Sequence, residues 1–174
     1  MNGSMWRSTG CALLLGVASP ALRAQEAHVS AKGSVVTITS NGVRHRITLP
    51  DSVRVDMDTV EVLDLQNVLA TSYLLLTVNG PSKRVGFGAG QCGAGYETGV
   101  VWLQLLSWRV QRLQSRLVES CWKNVMITGT IDWQADIMRM TFLDLKAGSK
   151  GYVLRYDRAR PERGFTVTAD SAGK

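Results

Sequence analysis

Apolar and polar residues alternate along most of this chain with the two-residue period of a pleated strand. In Val35–Ser40 the apolar positions are Val36 and Ile38, and beyond Asn41-Gly42 they continue as Val43, Ile47 and Leu49, while Arg44 and Arg46 share the opposite face. Asn-Gly accepts the positive φ that a two-residue hairpin turn requires, so the pattern predicts a β-hairpin here. Pro50-Asp51-Ser52 ends it as a turn. Val53, Val55 and Met57 then alternate with Arg54, Asp56 and Asp58, and Val60, Val62, Leu63 and Leu65 carry the extended pattern on.

Two longer runs lose the alternation. Residues 68–78, Val-Leu-Ala-Thr-Ser-Tyr-Leu-Leu-Leu-Thr-Val, are rich in β-branched and aromatic side chains and end at Asn79-Gly80-Pro81. That composition favours a buried central strand over a helix. Val100-Val-Trp-Leu-Gln-Leu105 has the same character. Between them lies the densest glycine cluster of the chain, Gly86, Gly88, Gly90, Gly93 and Gly95.

Residues 107–122 support two readings. Leu106, Val110, Leu113, Leu117 and Cys121 recur every three or four residues, with Arg109, Arg112 and Arg116 as a neighbouring stripe, and this spacing allows a helix. The segment also reads as two short strands around Gln114-Ser115, which its β-rich surroundings favour. Further strands are expected at 125–133, 137–145, 152–157 and 165–168, with turns at 147–151 and 160–164. Eight to ten strands with turn signals between them predict a mainly β chain: one antiparallel sandwich or barrel-like domain, with a helix near 107–122 as the alternative there.

Composition changes this picture mainly at the start of the chain. Arg7, the apolar run Cys11–Val17 and the small-residue exit ending at Ala24 have the order and length of a cleaved secretory signal peptide over residues 1–24. The run is shorter than the roughly 20 residues of a membrane-spanning helix, and no other segment is apolar enough to span. The expected organisation is a leader at 1–24, a β-rich domain at 25–168 that begins with a flexible stretch to 33, and a flexible tail at 169–174. Export predicts a periplasmic or secreted protein. Losing Arg7 and Arg23 leaves 18 basic against 14 acidic side chains, a moderately basic chain suited to acidic partners.

The leader would also remove Cys11, leaving Cys92 and Cys121, an even pair in an oxidising compartment. Their 29-residue separation has neither the CxxC spacing of a redox pair nor that of a zinc site. The expectation is a structural disulfide closing a loop of about 30 residues, worth roughly 3–4 kcal/mol by chain entropy.

Catalytic chemistry finds little support. The Gly-rich stretch lacks the Gly-Lys-Ser/Thr end of a phosphate loop, and no Gly-x-Ser-x-Gly elbow is present. Only His28 and His45 could serve as imidazole bases. No catalytic residue, cofactor or metal site is therefore assigned. Carboxylates such as Asp56, Asp58, Asp64, Glu97 and Asp144 keep open a small secreted hydrolase that uses a carboxylate pair. The residue types enriched at binding hot spots cluster instead around the glycine loop and the ambiguous segment: Tyr96, Trp108, Arg109, Arg112, Arg116 and Trp122. The expected function is a non-catalytic envelope binding protein, an inhibitor or immunity-type partner of another protein. An envelope polysaccharide- or lipid-binding module is the alternative. Export disfavours nucleic acid as a partner.

Overall fold

The computed structural model describes residues 28–40, 42–50, 53, 57–81 and 96–170. The expected leader, the Gly-rich loop with Cys92, and residues 171–174 lie outside the described residues. The described part is built from antiparallel strands in two sheets, neither closed into a barrel, so the barrel-like alternative is set aside.

The first sheet has three strands, β1 (His28–Lys32), β2 (Val35–Ser40) and β3 (Val43–Thr48), in that order. The expected hairpin is β2–β3, with Ser40 opposite Val43 and Gly42 at φ 75°. β1 occupies the stretch expected to be flexible. It alternates as the others do, with Val29 and Ala31 turned to the core. Met57 contributes an isolated bridge to Gly33, and no further strand is described in 53–58.

The second sheet is a meander of β4 (Thr59–Val68), β5 (Thr71–Pro81), β6 (Tyr96–Leu106), β7 (Arg109–Ser120), β8 (Val125–Ile127), β10 (Ile137–Asp144), β11 (Lys150–Asp157) and β12 (Phe165–Ala169). A short β9 (Asp132–Gln134) pairs only with β10. The expected 68–78 strand is two elements, because a two-residue turn at Leu69–Ala70 separates β4 from β5. The stretch 107–122 contains no helix. After a turn at Ser107–Trp108 it is one continuous twelve-residue strand that passes through Gln114-Ser115 without interruption. The expected 125–133 strand is split into β8 and β9. β12 extends through Ala169, and the Asp170 N–H donates to the Gly151 carbonyl at 2.8 Å.

Successive side chains of a strand face opposite ways, and β5 and β6 are covered on both faces. On one face Leu74, Leu76, Val78, Val101, Leu103 and Leu105 pack against Val36, Ile38, Ile47 and Leu49 of the small sheet. On the other, Leu75, Val100 and Trp102 pack against Met138, Met140 and Phe142 of β10 and Leu154 and Tyr156 of β11. The large sheet thus folds back over itself. β5 and β6 become the middle layer of three, which is why their sequences read as unbroken apolar runs.

A polar clasp ties the returning end to β4. Asp64, 7% exposed, sits where the β4–β5 register shifts. Its carboxylate accepts from the Tyr156 hydroxyl at 2.8 Å and from Arg158 Nε at 2.9 Å, and Gln66 Nε2 donates to it at 3.1 Å. The Arg158 guanidinium also lies 4.1 Å from the centroid of Trp133. Burial, reinforced by the Asp64 charge, raises the Tyr156 phenol far above its ordinary pKa of 10.0. A folded pKa above the unfolded one gives stability that is complete below about pH 10 and lost as pH rises beyond it. Urea midpoints should therefore hold to about pH 9.5 and fall above it, and Tyr156→Phe should flatten that alkaline limb. An unchanged limb in the Phe variant would place the alkaline sensitivity elsewhere.

A candidate binding flank along β7

Pairing between β6 and β7 runs the length of both strands, from Leu106 opposite Arg109 to Glu97 opposite Ser120, with register shifts between Thr98 and Gly99 and between Gln104 and Leu105. On its other side β7 pairs with β8 only through Ser120 and Val125. Among the described residues no strand lies against the outer edge of β7 from Arg109 to Glu119. β8 and β9 instead line the neighbouring edge of β10. The sheet splays open between β7 and this pair, and a cleft of about 520 Å³ opens beside the split, lined by Gly99, Val101, Arg116, Leu117, Lys123 and Lys146 among others.

The chemistry of this flank is cationic over an apolar floor. Arg112 and Arg116 lie four residues apart on one strand and share a face. The Arg112 guanidinium lies 5.5 Å from the Trp102 ring. That of Arg116 lies 5.3 Å from the Phe142 ring and 5.9 Å from Tyr152. Arg116 Nε is buried and meets no acceptor among the described residues. Stacking on rings holds each guanidinium plane in place while leaving its donors for another group. The carboxylate in the cleft lining, Asp144, accepts from the backbone N–H groups of Lys146 and Ala147 at 3.0 and 3.2 Å.

The residues singled out from sequence do not form one patch. The β6–β7 hairpin is roughly 35 Å long at about 3.4 Å per residue. Trp108 and Arg109 lie at its turn end, and Tyr96, Cys121 and Trp122 at the other. Trp108 stacks on His45, with ring centroids 3.7 Å apart, and packs against the core under the small sheet. His45 thus faces inward, on the opposite side of β3 from Arg44 and Arg46. Arg109 is exposed beside the turn. Tyr96 is 57% exposed and donates its hydroxyl to Asp58 at 2.8 Å, a bond that raises its pKa. Cys121 is exposed and Trp122 half-buried in the turn after β7. Arg112 and Arg116 lie within the open flank, and Arg109 stands at its turn end.

Lys123 and Lys146 reach the same cleft from separate turns. Nothing in their local sequence signals this, because it is the pairing of β10 with β8, Asp144 opposite Val125, that brings Lys146 alongside.

Several carboxylates, the catalytic candidates Asp64 and Glu97 among them, serve as local hydrogen-bond acceptors. Glu97, 4% exposed, accepts from the Ser120 hydroxyl at 2.7 Å. Glu119 accepts from Thr98 at 2.9 Å, Asp132 from Gln134 at 3.0 Å, and Asp64 holds the clasp. Among the described residues no three His, Cys, Asp or Glu side chains group as metal ligands would, and no helix is long and apolar enough to cross a membrane. No protein-family model, curated protein or solved structure matches this chain.

Proposed function

We propose that this chain is an exported, non-catalytic binding protein of the periplasm or secreted space, acting as an inhibitor or immunity-type partner of another protein. The observation that carries the reading is the open edge of β7. A strand edge more than ten residues long, with cations beside it, offers a peptide segment the main-chain bonds of a new strand. In this reading the partner lays an extended, acidic segment into the split between β7 and the β8–β9 pair. Arg112, Arg116, Lys123 and Lys146 receive its carboxylates. Arginine guanidiniums already stacked on rings receive them with little loss of side-chain freedom. A neutral glycan would leave four cations without counter-charges, so an acidic protein segment is the better occupant.

The Cys92–Cys121 staple belongs to the same proposal. Its support is that Cys92 is the cysteine left to pair with Cys121 once a leader carrying Cys11 is removed. The bond would anchor the Gly-rich loop at the end of β7 where the split begins.

Capture with the purified protein from secreted and envelope fractions should recover one enzyme in a fixed ratio, with its activity lost. Arg112→Ala and Arg116→Ala should each weaken that complex at least tenfold, with melting temperature shifted by no more than about 2 °C, as for other exposed or half-exposed charges. Amide exchange along 110–118 should slow on binding. Full affinity in both variants, or unchanged exchange along β7, would remove the reading.

A further inference from the structure

The three-stranded sheet has a second chemistry on its outer side. With Val36, Ile38 and Ile47 turned into the core, the period of two places His28, Lys32, Thr37, Thr39, Arg44 and Arg46 on the opposite face. Register then sets them in rows across the strands. His28 lies opposite Thr39 and Thr39 opposite Arg44, while Thr37 lies opposite Arg46. Neighbouring rows are about 7 Å apart, two residues along a strand. The twist of the sheet hollows this face into a groove of about 590 Å³, and no carboxylate is among the residues that line it. No described carboxylate lies within ion-pair distance of Lys32, Arg44 or Arg46.

We infer that this groove is a binding site for an acidic polysaccharide, a linear chain of sugars bearing carboxylate or sulfate groups. The cations match the acidic groups, and the threonine hydroxyls between them match sugar hydroxyls, which both donate and accept hydrogen bonds. Two other polyanionic surfaces suit the face less well. Single-stranded nucleic acid relies on aromatic rings for its bases to stack upon, and apart from the imidazole of His28 none lines the groove. An anionic membrane is gripped by apolar side chains entering the headgroup layer, whereas this face is hollow and its long side chains are charged. The site lies on a different sheet from the β7 flank and does not depend on it.

Calorimetry of the purified protein with polygalacturonate and with heparin, in buffer of physiological ionic strength, tests the assignment. Both should bind, and neutral dextran should not. A Lys32→Ser, Arg44→Ser, Arg46→Ser triple variant should lose at least tenfold in affinity. An Arg139→Ser, Arg155→Ser, Arg163→Ser triple variant, equal in charge but altered on another face, should stay within twofold of the parent. Circular dichroism melting of both variants should match the parent, because all six side chains are exposed. Equal losses in the two triples would reduce the effect to net charge and overturn the site. Tighter binding of single-stranded DNA, or of vesicles rich in anionic phospholipid, would assign the face to that ligand and overturn the polysaccharide.

Discussion

Trp102→Ala is expected to leave the protein without a cooperative unfolding transition at ordinary growth temperatures. Trp102 is fully buried and stands on the face of β6 that meets β10 and β11. Its indole Nε1 donates to the Pro161 carbonyl at 3.0 Å, which fastens the 3₁₀ turn Pro161–Arg163 to the middle layer. Truncating a core tryptophan typically costs about 3–5 kcal/mol, because the surroundings only partly fill the cavity. The Pro161 carbonyl, left without its donor, adds about 1–3 kcal/mol. Against a total stability of roughly 5–15 kcal/mol for a domain of this size, the combined loss removes most or all of the margin. Trp102→Phe keeps the ring and loses the donor, so it should cost about 2 kcal/mol and retain a two-state denaturant transition. A Trp102→Ala protein within about 2 kcal/mol of the parent would mean that this layer packs less tightly than its burial implies.

Gly164→Ala should come second. Gly164 caps the 3₁₀ turn at φ 68°, ψ −152°, a region that only glycine visits at low cost. A β-carbon there would also run into the side-chain oxygen of Gln114, which accepts from the Phe165 N–H at 2.9 Å. Backbone strain of about 1–3 kcal/mol and the displaced hydrogen bond together predict a loss of roughly 3 kcal/mol. Combining the change with Gln114→Ala relieves the clash but orphans the Phe165 N–H and leaves φ unchanged. The double variant should therefore stay within about 1 kcal/mol of the single one. Recovery to parent stability would show that crowding against Gln114, rather than backbone conformation, is what demands glycine.

The elements that sequence disclosed share a physical reason. Gly42 marks the β2–β3 hairpin because the turn residue itself takes the positive φ. The apolar runs in β5 and β6 disclosed their double burial because both faces needed apolar side chains. The turns that stayed hidden are those where tertiary pairing overrides local preference. Leu69 takes φ 56° with its side chain wholly exposed, and Ser107 and Trp108 take φ 48° and 62°. Leu69 and Trp108 are not turn-forming types and Ser107 stands alone without glycine, proline or asparagine beside it, so the long hairpins enforce these turns.

The apparent helical spacing in 107–122 has a definite origin. Register shifts set Gln111 and Val118 as extra residues in β7. A β-bulge adds one residue to the alternation, so Val110 and Leu113, three apart, face the same core. Leu113 and Leu117 are two strand repeats apart, which mimics a helical turn. Of the candidate site, the pair Arg112 and Arg116 was legible because residues four apart share a face in a strand as in a helix. The groove on the small sheet is not legible there, since the short polar-flanked stretch around His28 and Lys32 resembles a flexible start. The Val29 and Ala31 alternation was the signal that could have revealed β1.

The middle layer also bears on how the chain reaches its final state. β5 and β6 are covered on one face by strands that precede them and on the other by strands that follow them. As the chain emerges from its amino end, Leu74, Leu76 and Leu103 can find their cover early. Leu75, Val100 and Trp102 wait until β10 and β11 have been made. During that interval the apolar face of β5 and β6, in the middle of the β4–β7 sheet, faces water, and exposed apolar surface of this kind associates with other chains. The last third of the sequence therefore acts as a built-in shield for the middle third, and its arrival ends the period in which the growing chain is most prone to aggregate.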